Sequence, residues 1–318
     1  MKNKILIISG PTGVGKTRLA LKLAKDLDGE LVSADSRQVY KGMDIVTGKD
    51  LPANSKQKKD LGCYEIDNIK IWGLDLVEPD QEFDVSMFIK VAREIINDVW
   101  VRGKLPIVVG GTGFYLKNLI QPASTIGIPI DKKLRQKLDK LPVEQLQKKL
   151  QKLNPQKWEQ MNNSDCNNPR RLVRAIEIFF NGKNKNLLNS KQARMTNFKN
   201  NILMIGLKID KNTLEQKIKK RVEERIKAGA ETEVEKLLAE GYSWDLPAMS
   251  AIGYRDWRDF IEGKQDLAET TKLWQLHEIQ YAKRQMTYMR KIKEIKWFDV
   301  SQKDWLDQVG KNVEKWVK

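Results

Sequence analysis

Residues 4–17 read Lys4-Ile5-Leu6-Ile7-Ile8-Ser9-Gly10-Pro11-Thr12-Gly13-Val14-Gly15-Lys16-Thr17, a β-rich apolar run that breaks into a glycine-rich turn. A helix-like stretch, Lys16–Leu27, follows at once. The turn fits G-x-x-x-x-G-K-[ST] between a strand and a helix, which is the setting that gives this motif its meaning. Its glycines let backbone N–H groups point inward around a phosphate, and the helix N-terminus adds favourable partial charge. Lys16 can neutralise outer phosphate oxygens, and the Thr17 hydroxyl can hold a magnesium ion. The loop identifies a phosphate and leaves the reaction open, since ATP and any other diphosphate suit it equally.

Outward from this turn, strand and helix alternate. Glu30–Ala34 is expected as a second strand, and a polar Lys-rich loop around Asn54–Asp60. Ile69–Val77 reads as one strand or two short ones, Val85–Val101 as a helix, and Leu105–Val109 as a buried strand closed by Gly110-Gly111. Such alternation argues for a parallel sheet covered by helices on both faces. After Leu119 the texture becomes polar, with short helices near Lys132–Leu141, Val143–Leu153 and Pro169–Phe180, and a loop-rich Gly182–Asn201. Strand character returns at Ile202–Ile209, helices run from Thr213 to Lys293, and Ile295–Asp299 is a last strand. The expected fold is therefore α/β, a P-loop NTPase-like parallel sheet core (1–118 and 202–318) with an inserted helical domain (119–201).

The 318 residues carry a net charge of +16. Between Asp131 and Asn200, 17 Lys/Arg stand against 6 Asp/Glu, so this one segment holds +11. A local basic excess suits a polyanion such as nucleic acid, and equally a solvated Lys-rich helical surface. The apolar run at the N-terminus is too short for a membrane helix or a signal peptide, so a soluble cytoplasmic protein is expected. Two distant cysteines (Cys63 and Cys166) and one histidine (His277) exclude a disulfide framework and a Cys/His zinc site.

Ligands of an open parallel sheet gather beyond the carboxyl ends of its strands. The second strand ends in Asp35-Ser36-Arg37-Gln38-Val39-Tyr40, and Leu105–Val109 leads into Gly110-Gly111-Thr112-Gly113-Phe114-Tyr115. Asp35 there could serve as general base, as a magnesium ligand through water, or as a helix cap. The Gly-Gly-Thr-Gly turn could admit a substrate closely or simply connect strand to helix. These stretches are expected to converge on one cleft.

Together with Ser250-Ala-Ile-Gly-Tyr-Arg255 and Ala282-Lys-Arg-Gln-Met-Thr-Tyr-Met-Arg290, the motifs at Gly10–Thr17, Asp35–Tyr40 and Gly110–Tyr115 resemble the tRNA dimethylallyltransferases (tRNA isopentenyltransferases) in order and spacing over nearly the whole chain. The resemblance implies transfer of a dimethylallyl group from its diphosphate to N6 of adenine 37 in tRNA, a magnesium cofactor, and a helical insertion gripping the anticodon stem-loop. Asp35 matches the general base, with Lys16, Thr17 and Thr112 beside it. Gly10, Pro11, Thr12, Gly13, Val14, Gly15, Lys16, Thr17 and, as a further positive contact, Arg221 would hold the diphosphate. Contacts to tRNA would come from Asp35, Ser36, Arg37, Gln38 and Thr112, from Arg135, Arg170, Arg171, Leu172, Val173 and Arg174 in the insertion, and from Gly253, Arg255, Lys283, Arg284, Gln285 and Arg290. Binding tRNA requires only a monomer and no membrane.

The chain departs from the family pattern at named places. Ile45-Val46-Thr47-Gly48-Lys49-Asp50 stands for an Ile-Gly-Thr-Ala-Lys-Pro-like stretch, and Trp72-Gly73-Leu74 for His-His-Leu. Asn168 replaces an acidic residue, Ile279 an arginine and Tyr288 a tryptophan. Three other readings use the same residues: a P-loop kinase or triphosphatase acting on ATP, an adenylate isopentenyltransferase acting on free nucleotide, and an RNA-binding protein with a relic site.

Overall fold

The computed structural model describes residues 3–51, 55–58, 62–181 and 201–318. In chain order, β1 (Ile5–Ser9), α1 (Lys16–Leu27) and β2 (Gly29–Ser33) are followed by three short strands, β3 (Lys56–Lys58), β4 (Cys63–Ile66) and β5 (Ile69–Trp72). Next come α2 (Val85–Val101), β6 (Leu105–Gly110) and α3 (Gly113–Ile120). Five helices form the middle of the chain: α4 (Lys132–Leu138), α5 (Val143–Leu153), α6 (Pro155–Glu159), α7 (Asn163–Cys166) and α8 (Pro169–Asn181). The last part holds β7 (Ile202–Lys208), α9 (Lys211–Lys227), α10 (Ala230–Ala239), α11 (Tyr254–Ile261), α12 (Leu267–Met289), β8 (Ile295–Asp299) and α13 (Trp305–Val317).

All eight strands join one sheet in the order β3-β4-β5-β2-β6-β1-β7-β8. The six from β5 to β8 run parallel, while β3 and β4 add an antiparallel edge. The result is an α/β fold with a parallel sheet core, consistent with a P-loop-like nucleotide-binding fold. β1, β2 and β6 are buried along their whole length; β1 and β6 are accordingly nearly unbroken apolar runs, while the buried Glu30 of β2 is matched by Arg102 and Trp72. Leu6, Ile8, Leu31 and Ile107 face a core built with Leu19, Ala20 and Leu23 of α1 and Val309 and Val313 of α13. α2 lies against β2 and β6, its first turn capped by Asp84, whose carboxylate accepts from the Ser86 and Met87 N–H groups. No helix among the described residues is long and apolar enough to cross a membrane.

The register places the ends of the three central strands level, with Ser9 opposite Gly110 and Ser33 opposite Val109. Because β6 lies between β2 and β1, the loops leaving all three strands emerge side by side. That topology puts Gly10–Thr17, Asp35–Gln38 and Gly111–Thr112 at one edge of the sheet.

The structure corrects several expectations. The strand expected over Ile69–Val77 stops at Trp72, because Gly73 (φ 86°) and Asp75 (φ 51°) turn the chain left-handed; Val77 only bridges Tyr40. Part of the loop expected around Asn54–Asp60 is instead strand β3, and the rest of that stretch lies outside the described residues. Helix α13 is an addition to the expected elements, although Trp305, Val309, Val313 and Trp316 recur at helical spacing; α6 and α7 are too short to show a period. Nearly all of the Gly182–Asn201 stretch also lies outside the described residues.

The chain divides into two compact units, Met1–Gln121 with Phe198–Lys318, and Pro122–Asn197. The second has its own core of Leu138, Leu146, Leu150, Leu172, Val173, Ala175 and Ile176. This corrects the reading of Leu172 and Val173 as tRNA contacts: at 0% and 3% exposure their side chains are packed inside the helical unit.

Candidate active site

The turn after β1 is shaped by residues that only glycine can supply. Gly10 has φ 148°, and a Cβ there would stand 2.7 Å from the Leu207 carbonyl oxygen. Gly15 (φ 99°) occupies the N-cap of α1 without a side-chain cap, so the first N–H groups of that helix remain open toward the cleft. Within the turn, the Thr12 N–H donates to Gln285 Oε1 at 2.9 Å, and Lys16 Nζ donates to the Pro11 carbonyl at 2.8 Å. Arg221 reaches in from α9 to donate to Thr12 Oγ1 at 2.8 Å. It also contacts the Gly48 carbonyl at 3.2 Å and forms an ion pair with Asp50.

Asp35 stands opposite this loop, on the turn after β2. Its Oδ1 accepts from the Arg37 N–H at 2.9 Å, an Asx-type contact that fixes the carboxylate. Thr112 is at the N-cap of α3 but does not cap it; its Oγ1 accepts from the Ser36 N–H at 3.3 Å and so ties the two loops together. Gln38 donates to the Gly48 carbonyl at 2.8 Å and accepts from Ser33 Oγ at 3.2 Å. Tyr281 of α12 completes the corner. Burial, followed by the nearby Asp35 carboxylate, pushes its phenol above the ordinary tyrosine range, and the phenol shares a hydrogen bond with Thr112.

Most of these residues line a cleft of about 780 Å³; Thr112 is not in its lining and sits behind Ser36 and Tyr281. Seven cationic side chains (Lys16, Arg18, Arg37, Arg221, Arg225, Arg255 and Arg284) face three carboxylates (Asp35, Asp50 and Glu278) there, so the cleft is built for an anion. Burial, then Arg221, lowers the Lys16 ammonium to about 8, with Asp35 and Asp50 pulling the other way.

Of the residues singled out from sequence, Thr12, Gly13, Gly15, Lys16, Thr17, Asp35, Ser36, Arg37, Gln38, Arg221, Arg255, Arg284 and Gln285 line the cleft together. Gly10, Pro11 and Val14 are buried and frame the turn from behind. Gln285 serves a different purpose from the tRNA contact expected of it. It is 6% exposed, bonded to Thr12 and packed against Gly111, so it locks α12 to the phosphate loop. Gly253 is also not a contact surface: it is buried with φ 92°, and a Cβ would lie 2.4 Å from Val46 and 3.0 Å from Trp274. Lys283 is exposed and paired with Glu215 at 3.3 Å, and Arg290 is exposed at the end of α12.

Arg135, Arg170, Arg171 and Arg174 belong to the second unit. Arg135 and Arg174 both bind the buried Glu177 carboxylate, whereas Arg170 and Arg171 are exposed, Arg171 pairing with Asp165 at the surface. His277 accounts for itself structurally, its Nδ1 lying 2.7 Å from Asp256.

Sequence reading missed Arg225 and Glu278 as cleft residues. Arg225 follows Arg221 by four positions, the spacing that shares one helix face, and that signal was available. Glu278 could be placed only once α12 was seen to pack on α9. Tyr281, which the helical spacing groups with Arg284 and Tyr288 on one aromatic and basic face, lines the cleft. The departures have structural explanations as well. Gly48 (φ 66°) leaves room for two arginines, and Asp50 pairs with Arg221. Trp72 Nε1 donates to Glu30 at 2.7 Å, and Gly73 allows close approach to Ser33. Asn168 caps the first turn of α8 through the Arg171 N–H, Ile279 packs with Ile218 and Ala282, and Tyr288 lies over Gly113.

Fold and cleft together define an α/β protein with a cationic cleft where the central strands end. Comparison with known proteins narrows the class. The profile of the IPP transferase family matches residues 38–292, and that of the isopentenyl transferases matches residues 3–68. The chain is 34% identical to a tRNA dimethylallyltransferase of Acetivibrio thermocellus, covering 99% of this chain and 97% of that one. It is 37% identical to a tRNA dimethylallyltransferase of Exiguobacterium, covering 95% and 92%. Among solved structures it resembles a full-length tRNA isopentenylpyrophosphate transferase of Bacillus halodurans (TM-score 0.69, 32% identity, 99% and 97% covered). A eukaryotic dimethylallyltransferase acting on tRNA superposes with a TM-score of 0.76 at 26% identity, over 96% of this chain and 76% of that one. The chain belongs to the IPP transferase family.

Proposed function

We propose that this enzyme transfers a dimethylallyl group from dimethylallyl diphosphate to N6 of adenine 37 in tRNA. The observation that carries the reading is the placing of one carboxylate, Asp35, across a single cationic cleft from the Gly10–Thr17 loop and Arg221. The loop is read as a P-loop whose ligand is the donor's diphosphate. The exocyclic amine of adenine is a weak nucleophile because its lone pair is delocalised into the ring. Asp35 accepts the N6 proton as nitrogen bonds to C1 of the prenyl group, and the C1–O bond to the diphosphate breaks. Lys16, Arg221 and the open N–H groups of α1 stabilise charge on the departing oxygens. Thr112 and Tyr281 hold the wall beside Asp35. The target base has to leave its stack to reach the cleft, which costs less in a single-stranded loop than in a duplex. Exposed Arg170 and Arg171 of the helical unit suit the RNA backbone.

Magnesium fits the residues present, since the Thr17 hydroxyl is a hard oxygen donor lining the cleft and the diphosphate brings more. When bound, the ion would offset the diphosphate's negative charge.

The direct test is mass spectrometry of tRNA incubated with the enzyme and dimethylallyl diphosphate, with AMP as a competing acceptor. One dimethylallyl mass on the nucleoside at position 37 is expected; modification of AMP alone would replace this reading with a free-nucleotide transferase. The Lys16 ammonium adds a second prediction. Only its protonated form attracts the diphosphate, and the bound anion holds that proton more tightly. Affinity for dimethylallyl diphosphate is therefore expected to fall as pH rises beyond about 8, by at most tenfold per pH unit. In Lys16→Ala the affinity is lower throughout and this step is missing; titration calorimetry across the range reads both.

A further inference from the structure

Arg225 is among the most deeply buried cations of the cleft, at 6% exposure. A guanidinium carries five N–H donors, and burial normally requires them to be matched. Here Nη1 donates to Glu278 Oε1 at 3.1 Å, and the buried Nε has no partner. The single carboxylate of Glu278, itself 8% exposed, is the group that faces it from α12.

Its neighbour is a second guanidinium. Arg221 lies one turn earlier on the same face of α9, and both arginines converge on the backbone of Gly48. A Cβ at that position would stand 1.8 Å from Arg225 Nη2 and 2.7 Å from Arg221 Nη2. Arg221 in turn touches Thr12 of the phosphate loop. Two like charges side by side in a partly dehydrated cleft repel, Asp50 and Glu278 each face one of them, and an anion arriving between them lessens the repulsion further.

We propose that Arg225 is a second arginine for the donor's diphosphate, completing with Arg221 a paired guanidinium clamp on the leaving group; this rests on the reading that the cleft holds that diphosphate. Gly48 is then a requirement of the clamp, since any side chain there would displace both arginines.

The rival account makes Arg225 a strut that only joins α9 to α12 through Glu278. Inorganic pyrophosphate binding to the full chain, measured by calorimetry, separates the two when Arg225→Met, Arg225→Lys and Glu278→Gln are compared. The clamp predicts binding at least tenfold weaker in Arg225→Met and intermediate in Arg225→Lys. It predicts binding as tight as wild type or tighter in Glu278→Gln, where the guanidinium loses its competing carboxylate. Affinity for an anticodon stem-loop should not change in Arg225→Lys. Arg225→Met within twofold of wild type, or Glu278→Gln weakened as much as Arg225→Met, would overturn the clamp. If Arg225→Met does not fold, the Arg225→Lys and Glu278→Gln pair decides alone. Absence of pyrophosphate binding in the wild type, with Lys16→Ala indistinguishable from it, would instead remove the reading of the cleft beneath this proposal.

Discussion

Asp35→Asn is expected to slow single-turnover prenyl transfer by roughly 10²–10⁴-fold, the range that a positioned general base supplies, while the enzyme still binds tRNA. Asparagine keeps the shape of the side chain and can still accept the 2.9 Å hydrogen bond from the Arg37 N–H, so the turn after β2 should survive. What it loses is the ability to take the N6 proton. Among the described residues Asp35 makes no ion pair at contact distance, although its charge favours the buried Lys16 ammonium, so only a modest part of the stability should go with it. A rate within a few-fold of wild type, with normal donor affinity, would move the base elsewhere. Tyr281 is a poor substitute, because burial and the neighbouring carboxylate hold its phenol proton firmly.

The site was legible where chemistry depends on contiguous residues. The phosphate turn, Asp35 and Thr112 each follow a strand directly, and parallel strands end at a common edge, so their convergence follows from topology alone. Side chains delivered by distant helices were harder to place. Gln285 and Arg284 are neighbours in sequence, yet one is buried against the phosphate loop and the other is exposed; only the rotation of α12 against α9 decides which. Leu172 and Val173 sit between arginines in a stretch expected to contact tRNA, but residues one and two positions along a helix from Arg171 face other ways, whereas Arg174, three along, shares its side. In the fold, β1, β6 and α2 were readable from apolar runs or helical spacing, and β2 from the short Leu31-Val32 pair. The edge strand β3 was not, because Lys56-Gln57-Lys58 carries no apolar alternation and is strand only by pairing with β4.

The arginines of the helical unit lead to the second large effect. Glu177 is fully buried, and its carboxylate accepts from the Asp131 N–H at 2.8 Å, from Arg135 Nε and Nη2 at 2.9 Å each, and from Arg174 Nη1. Arg174 continues to the Ile128 carbonyl at 2.9 Å and the Thr125 carbonyl at 3.3 Å. One carboxylate thus ties the lead-in to α4, α4 itself and α8 into a single knot. Removing one member of such a buried pair costs about 3–5 kcal/mol, and Glu177→Ala should fall near the lower end because Arg135 and Arg174 keep 33% and 30% side-chain exposure. Hydrogen exchange should show lost protection in α5 and α8 while β1 and β6 remain protected. Burial by itself would raise the Glu177 carboxyl, but the hydrogen bonds from Arg135, Arg174 and the Asp131 N–H outweigh it and hold the group below its ordinary value. A carboxylate depressed in this way stabilises the unit above the unfolded glutamate's pKa of about 4.3. That contribution is lost as pH falls through the lower folded value, so Glu177→Gln should flatten the acid limb of the stability curve. By the same logic Arg135→Ala and Arg174→Ala loosen the helical unit, whereas Arg170→Ala and Arg171→Ala leave it folded and reduce the salt dependence of tRNA binding. Equal losses of stability across all four would mean that Glu177 is not what the first two arginines are for.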